Sequence, residues 1–520
     1  MTRSAAGLIG DVVAANAARF GDKAAFKTAA GRELSFRDLQ RRVQQLGRVF
    51  CDLGLRAGDR IAVLLRNRPE YVEAYCVASF GFVIVPLNWR LSGSEISVIV
   101  GRAEPRAIIS DVGFAEAVER AACGLVDRPT MILVEGTRPG WSRYDDMLAK
   151  RRSLGAAPSY ETHPHATAAL LFTSGTTGRP KGVELTHQGL VGNSRLSAEI
   201  TLGLTSQDIT LSCMPMFHVG GMWYHLFASY LAGCTTYISD DPRPATILAL
   251  LSQHGITNTH IVPTMLHDML ELPELAACDL TRLRLILYAA SSISPALLRR
   301  ALDRLRLCAF VQGYGSTEAG QITCLSDADH RAALAPPGHE HLLLSCGRPI
   351  AGVEVRIDPV EDKKVGEILV KSPFAMARYW KDSVATSDAM VDGWLRTGDI
   401  GRVDDDGFFY ILDRKSDMIV TGGENVFPRE VEDAILTYPQ VLEVAVFGVP
   451  DQRWVQKVVA AIVTREGVHI DLTDLRSHLK MCLASYKCPK QLILVESLPK
   501  NAAGKVLRRE LRARYELQCT

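Results

Sequence analysis

At 520 residues the chain is too long for one compact core, and at about 100–200 residues per domain it holds several domains or subdomains. Hydrophobic residues make up 47% of it and charged residues 22%, which excludes wholesale disorder, a collagen-like chain and a coiled coil. The formal net charge of +1 is too near neutrality to hold nucleic acid or an anionic membrane by bulk charge, so any anionic ligand has to meet a local, preorganised pocket.

The N-terminal stretch breaks its short apolar run at Asp11 and offers no signal-peptide core. Leu39, Val43, Leu46, Phe50 and Leu53 recur at helical spacing after Ser35, and Asp38 completes a capping pattern, which predicts a helix. Apolar runs over 60–65 and 82–87 read as strands flanking a helix over 70–79. The alternation returns as strands over 259–262, 283–288 and 308–312, with helices over 264–272 and 295–304. Such alternation predicts α/β layers with mixed, partly parallel sheets.

From about Val353 the texture changes to short β segments with turn signals: VEVRI, GEILVKS and DDDGFFYIL. The charged DRKSD stretch over 413–417 has no apolar periodicity. Beyond it come a helix over 428–436, strands over 441–449 and 458–464, a helix over 472–483 and a strand over 491–495. That suffices for a small α+β domain with its own core, so the expected boundary divides 1–413 from 414–520. Nowhere do 18 apolar residues run uninterrupted, and no transmembrane helix is expected. The twelve cysteines form no CxxC pair and read as small buried hydrophobes in a reducing, cytoplasmic setting.

The most informative segment is LLFTSGTTGRPKGVELTH over 170–187. An apolar strand enters a loop dense in Gly, Ser and Thr (Thr173, Ser174, Gly175, Thr176, Thr177, Gly178), then comes Lys181 and a helix beginning near His187. Glycines let backbone N–H groups converge on phosphate oxygens, hydroxyls add donors, and Lys adds a point charge. The Walker pattern fails at two positions: Pro180 stands where its second glycine belongs, and Gly182 follows Lys181 where a Mg2+-binding hydroxyl should be.

Residues 173–182 (TSGTTGRPKG) closely resemble the signature of the adenylate-forming superfamily, in which acyl-CoA synthetases, luciferases and peptide-synthetase adenylation domains belong. The resemblance extends in family order over essentially the whole chain. MPMFHVGG over 214–221 resembles the segment whose His, here His218, borders the acyl pocket. AASS over 289–292 resembles the stretch that packs backbone on adenine, implying Ala290 and Ser291. GYGSTE over 313–318 implies Gly313, Tyr314, Gly315 and Ser316 at the nucleotide. It further implies Tyr314 stacked on adenine, Thr317 at the α-phosphate and Glu318 on Mg2+, with Thr173 as a second metal contact. WLRTGD over 394–399 implies Asp399 on the ribose hydroxyls and Arg414 as its companion. Ser416 stands at the hinge, where the family carries Asp or Lys. Gly422, Gly423 and Glu424 resemble the loop lining the CoA channel, and Lys505 in PKNAAGKVLR matches the catalytic lysine. YKCPK over 486–490 reads equally as a CoA-nucleotide contact and as a solvated turn.

The resemblance implies a large N-terminal domain of two α/β subdomains with a small β-barrel-like subdomain, followed by a small mobile α+β domain. It implies an ATP-dependent carboxylic acid–CoA ligase that works through acyl-AMP and releases pyrophosphate, with ATP, Mg2+ and CoA as its small molecules. No nucleic-acid partner is implied, and a homodimer is left open. Leu196, His218, Val219, Gly220, Trp223 and Gly313 are the expected acyl-pocket residues, with 263–265 and 288–292 beside them; all are apolar or neutral, which favours a hydrophobic acid. The segment around His218 carries no acid to pair with a substrate amine, which disfavours a peptide-synthetase domain. An acyl-AMP ligase serving a carrier protein is the main rival. A kinase-like phosphotransferase is disfavoured by the broken Walker pattern, and a non-catalytic nucleotide-binding protein by the joint presence of Glu318, Asp399 and Lys505.

Overall fold

The computed structural model describes residues 7–150, 162–173, 180–289, 293, 295–335, 339–359, 365–415, 417–421, 424–451, 454–465, 470–480, 483–500 and 506–519. Contacts divide the chain into two compact units. The first comprises Met1–Val355, Val370–Thr397 and Asp406–Phe409; the second comprises Arg356–Leu369, Gly398–Asp405 and Tyr410–Thr520.

Two large mixed sheets organise the first unit. In one, Ile209–Ser212, Thr235–Ile238, Asn258–Ile261, Leu285–Ala289 and Ala309–Ser316 are parallel neighbours, and Ala309–Ser316 turns back antiparallel to Gly320–Leu325. In the other, Arg60–Leu64, Val83–Pro86, Ala107–Ser110 and Thr130–Leu133 run parallel. Strand Thr167–Thr173 joins them and pairs antiparallel with Lys181–Thr186. Ile61, Ala62, Val63 and Leu64 are all buried, so both faces of their strand are covered and the sequence reads as a continuous apolar run without alternation.

Helix Phe36–Asp52 follows its sequence pattern closely. Ser35 Oγ accepts the Asp38 N–H at 3.0 Å, and Leu39, Val43, Leu46 and Phe50 are buried. Leu53 lies beyond the helix and is 40% exposed, because Gly54 opens a turn there instead of continuing the period. Gly47 lets the ring of Phe80 approach: a Cβ would stand 2.5 Å from it. The sequence suggests a loop running from residue 173 to His187; the structure instead has a hairpin, whose second strand is disguised by the buried Glu184. That carboxylate is 2% exposed and is held by Arg378 Nε at 2.9 Å and Thr167 Oγ1 at 2.9 Å.

In the second unit, Val441–Asp451 and Val455–Thr464 form a long antiparallel pair, extended by Ile419–Thr421 and Glu424–Val426 and, in parallel, by Gln491–Leu494. Alternation sorts its side chains. Val446 and Val458 pack with Val431, Ile435, Leu475 and Leu479 on one face, while Phe447 and Val459 pack with Leu498, Leu511 and Tyr515 on the other. Helix Arg508–Cys519 is therefore a packed element: two apolar residues four apart, Leu511 and Tyr515, suffice to dock it. Among the described residues no helix is long and apolar enough to cross a membrane.

Buried charge ties the early helices together. Glu73, in helix Pro69–Cys76, is fully buried; it takes Arg42 Nε at 2.7 Å and the Tyr144 hydroxyl at 2.8 Å. Burial pushes its carboxyl above the usual range, and Arg42 pulls it back. Arg42→Ala strands that carboxyl without its cation and is expected to cost about 3–5 kcal/mol in urea unfolding, whereas Glu73→Gln, which keeps a hydrogen-bonding oxygen, costs less.

Candidate active site

Parallel pairing sets Leu285–Ala289 beside Ala309–Ser316 with Ala289 opposite Gly313. The GYGS stretch, beyond the strand end expected at 312, continues the strand, and Glu318 falls in the turn before Gly320–Leu325. Its main chain is fixed by Met376, whose N–H donates to Glu318 O at 2.7 Å. Its side chain meets two hydroxyls on one oxygen: Thr173 Oγ1 donates to Oε1 at 3.3 Å and the Tyr379 hydroxyl to the same atom at 3.2 Å. Residues 145 positions apart thus converge at the mouth of the hairpin whose first strand ends at Thr173.

On the other hairpin strand, Lys181 is the cross-strand partner of Thr173, and its Nζ lies 5.0 Å from the Tyr379 ring centroid. Arg102 Nη1 donates to Pro180 O at 2.7 Å and Trp380 N–H to Gly182 O at 2.7 Å, which holds the strand's start in place. Burial, with Glu318 adding, raises the phenol of Tyr379 well above its ordinary pKa, so it stays a donor. The same holds for Tyr224, whose hydroxyl donates to Ser316 O at 3.0 Å.

The His218 segment is positioned from a distance by Asn67. Its Nδ2 donates to Met214 O at 2.9 Å and Ser239 O at 3.0 Å, and its Oδ1 accepts Met216 N–H at 3.0 Å. His218, Val219 and Gly220 are half-buried, and a π-helix begins at once, Gly220–Leu226. Such helices occur often at functional sites. Leu196 and Gly313 are also half-buried, whereas Trp223 is fully enclosed against Tyr75, ring centroids 5.3 Å apart, and Phe227 at 4.8 Å. Tyr288 is committed to packing, with its hydroxyl 2.7 Å from His330 Nε2.

In the second unit Asp399 is buried and meets Arg414 Nε at 2.7 Å. Lys415 N–H donates to Gly398 O at 2.9 Å, and Lys415 Nζ reaches Glu367 Oε2 at 3.0 Å. The flanks of 501–505 are tied together, with Leu507 N–H donating to Pro499 O at 2.8 Å and Lys500 bridged to Val506. Three residues past Lys505, Arg508 is bidentate on Glu432 at 2.7 and 2.9 Å and reaches Asp417 Oδ2 at 3.2 Å. Asp413 accepts Arg414 N–H at 2.7 Å and Arg429 N–H at 2.8 Å; burial raises its carboxyl to about 6. Ser174, Gly175, Thr176, Thr177, Gly178, Ala290, Ser291, Ser416, Gly422, Gly423 and Lys505 lie outside the described residues, as does the side chain of Glu424.

Among the described residues no cluster of three or more His, Cys, Asp or Glu could cage a metal ion. The donors present suit Mg2+ nonetheless, since that ion binds through one or two carboxylates plus phosphates, and Glu318 is a half-buried hard oxygen donor with the Thr173 hydroxyl beside it.

The family models fit this arrangement: "AMP-binding enzyme" matches residues 13–380 and "AMP-binding enzyme C-terminal domain" matches 430–505. The chain belongs to the AMP-binding enzyme family. It is an adenylate-forming acyl-CoA synthetase in class, an acid–thiol ligase, for which ATP and CoA are co-substrates. It is 35% identical to the fatty acid–[acyl-carrier-protein] ligase ScoC of Streptomyces coeruleorubidus, over 93% of this chain and 92% of that one. It is 34% identical to a feruloyl-CoA synthase of an Amycolatopsis species, over 93% and 94%. The solved structure of o-succinylbenzoate CoA synthetase (MenE) from Bacillus subtilis, in complex with the acyl-adenylate intermediate OSB-AMP, superposes with a TM-score of 0.81 at 30% identity, covering 96% of this chain and 97% of that one.

Asn67, Tyr224 and Tyr379 are not legible as site residues in the sequence. Each acts through a contact to a residue far along the chain, and none sits in a pattern of its own. The enclosed imidazoles add a measurable property: burial lowers His187, His218 and His225 to about 4 and His260 to about 3. These folded values lie below the ordinary 6.5, so the unfolded chain binds more protons in the window below pH 6.5, and stability falls as pH drops through it. At pH 5, calorimetric unfolding is expected to take up about three to four protons from these four groups, and about one fewer in His260→Leu.

Proposed function

We propose that the enzyme activates a hydrophobic carboxylic acid with ATP and transfers the acyl group to CoA in the cytoplasm. The observation that carries the adenylation half is the convergence of Thr173 and Tyr379 on Glu318, with Lys181 over the Tyr379 ring, directly at the phosphate-loop hairpin. The neutral, half-buried Val219, Gly220 and Leu196 support a mainly hydrophobic tail, while the Arg90 cation acts on His218 at one side.

A carboxylate is a poor electrophile with a poor leaving group. In the first step its oxygen attacks the α-phosphorus of ATP, the bond to the bridging oxygen breaks, and pyrophosphate leaves. Two anions have to approach, so the protein's work is positioning and charge neutralisation. Residues 173–178 with Lys181 hold the β- and γ-phosphates, Thr317 meets the α-phosphate, and Tyr314 stacks on adenine beside Gly313, Ala290 and Ser291. Asp399 accepts the ribose hydroxyls, with Arg414 orienting its carboxylate. Glu318 with Thr173 would hold Mg2+, which would supply neutralisation of phosphate charge. Lys505 bridges the carboxylate and α-phosphate oxygens. In the second step the CoA thiolate attacks the acyl carbonyl and AMP leaves, with Gly422, Gly423 and Glu424 along the pantetheine path. The domain boundary near 414 and a hinge at Ser416 let the small domain present its two faces in turn.

Transfer to a carrier protein is the second reading, supported by the 35% identity to ScoC. Pyrophosphate release over a panel of acids, with and without CoA, is expected to give acyl-CoA and AMP when CoA is present. Acyl-AMP formation without acyl-CoA would favour the carrier protein, and ADP production would overturn adenylation. Lys505→Ala should lower adenylation on the order of 10²–10³-fold while thioester formation from synthetic acyl-AMP persists; an equal fall in both halves removes Lys505 from its role.

A further inference from the structure

Beneath the His218 segment lies a polar cluster that the adenylation chemistry does not use. His260, on strand Asn258–Ile261, is 3% exposed, and neither of its ring nitrogens has a hydrogen-bond partner in good geometry among the described residues. The main chain of Gly220 faces the ring and offsets a little of the burial, without closing a hydrogen bond to it. Its neighbour His225, on the π-helix, is 2% exposed and has Nε2 3.0 Å from Asn258 Oδ1; the two rings meet edge to face, centroids 5.8 Å apart. Asn258 Oδ1 in turn accepts the Thr210 hydroxyl at 3.1 Å, and Thr210 Oγ1 lies within hydrogen-bond distance of Ser229 Oγ, at 2.9 Å. Every member of this chain of contacts has a hydrogen-bond partner except its last, His260. Native proteins satisfy the great majority of buried polar groups, so a fully enclosed imidazole lacking a partner on both nitrogens asks for an explanation.

The explanation is its position. His260 lies against Gly220, where a Cβ would stand 3.6 Å from its Cε1. Gly220 is half-buried, as are His218 and Val219, so this segment reaches open space while His260 sits directly behind it with no side chain in between. The same π-helix touches the adenylate side of the site through Tyr224, whose hydroxyl donates to Ser316 O. Strand Asn258–Ile261 is the parallel neighbour of Leu285–Ala289, which borders Gly313. The imidazole therefore lies directly behind Gly220, two strands from Gly313 in the same sheet.

Burial, with His225 nearby, holds His260 neutral at about 3, so at neutral pH its ring presents one donor and one acceptor. The Arg90 cation acts on His218 and not on His260, where Asn258, Thr210, Ser229 and His225 give a carboxylate or ammonium on the tail no countercharge. A plain hydrocarbon tail would leave both ring nitrogens desolvated and unpaired. A hydroxyl, able to donate and accept at once, matches what the ring offers.

We propose that His260, backed by His225, is a specificity residue that receives a neutral hydroxyl on the tail of the acid, so that hydroxylated acids are preferred over their hydrocarbon parents. The inference rests on the adenylation reading above and narrows its substrate class.

Two series test it: octanoic acid with its 5-, 6-, 7- and 8-hydroxy derivatives, and 3-phenylpropanoic acid with its ring 2-, 3- and 4-hydroxy derivatives. Pyrophosphate release is measured as kcat/KM for the wild type, His260→Leu and His260→Gln. At least one hydroxylated member is expected to exceed its parent by about tenfold or more, because a site built to hydrogen-bond a hydroxyl rejects the analogue lacking it. His260→Leu should reduce that ratio below about threefold while the parent acid keeps or gains activity, which a merely damaged fold would not do. His260→Gln, which retains a donor and an acceptor, should keep part of the preference. Pyrophosphate release with the parent acids but no hydroxyl preference, or a preference unchanged in His260→Leu, overturns the inference and leaves adenylation standing. No pyrophosphate release with any acid of either series overturns both.

Discussion

The pairing of Leu285–Ala289 with Ala309–Ser316 is the constraint on which the rest of the first unit depends. A strand's side chains alternate, so a slip of one residue would send every one of them to the opposite face. In the observed register Ala289 stands opposite Gly313, and the chain then reverses into Gly320–Leu325. Glu318 has its place because it occupies that reversal. Everything that gathers round it, from Thr173 on a different sheet to Tyr379, meets a carboxylate whose location was decided by backbone hydrogen bonds. Tyr224 extends the same logic: its bond to Ser316 O hangs the π-helix on this strand, and the acyl side is built relative to the nucleotide side.

Polar groups are treated in two ways in this unit. Around helix Pro69–Cys76, Glu70 is shared by Arg32 and Arg68, Glu73 is held by Arg42 and Tyr144, and Arg68 reaches on to Asp111. Each charge there has a partner, as burial requires, and the network binds elements to one another. Between residues 218 and 260 the opposite holds: His218 Nε2 and both nitrogens of His260 are enclosed without hydrogen-bond partners among the described residues. Buried polar atoms without partners occur elsewhere too, as at Tyr230 and Gln440, and such departures are expected where ligands bind. The near-neutral net charge conceals this contrast, because opposite charges cancel in a sum while their local arrangement does not.

The sequence reveals elements whose burial follows a period and misses those whose burial does not. Helix Phe36–Asp52 is legible because four residues at helical spacing face the core, and Leu53 misleads only because an apolar residue beyond a helix end prolongs the pattern. Strand Lys181–Thr186 is hidden by Glu184, a buried carboxylate at a position where a strand would ordinarily show an apolar residue. Helix Arg508–Cys519 is hidden by its arginines, since Leu511 and Tyr515 are too few to make a visible stripe. The site residues are legible through motif resemblance, which supplies Thr173 and Glu318 as a pair. Asn67, Tyr224, Tyr379 and His260 belong to no motif, and only folding brings them into place.

Arg508 gives the second unit an unadvertised seam. Its guanidinium gathers Glu432 and Asp417, and Asp413 caps Arg429 from the same side, so the structural unit begins well before residue 430, where the family's C-terminal model starts to match. A chimera joined at that point would inherit Arg508 and Glu432 from one parent and Asp413 and Asp417 from the other. Exchange of the C-terminal part between relatives is thus governed by compatibility across four ionic side chains, and the joint that preserves them all lies upstream of Asp413.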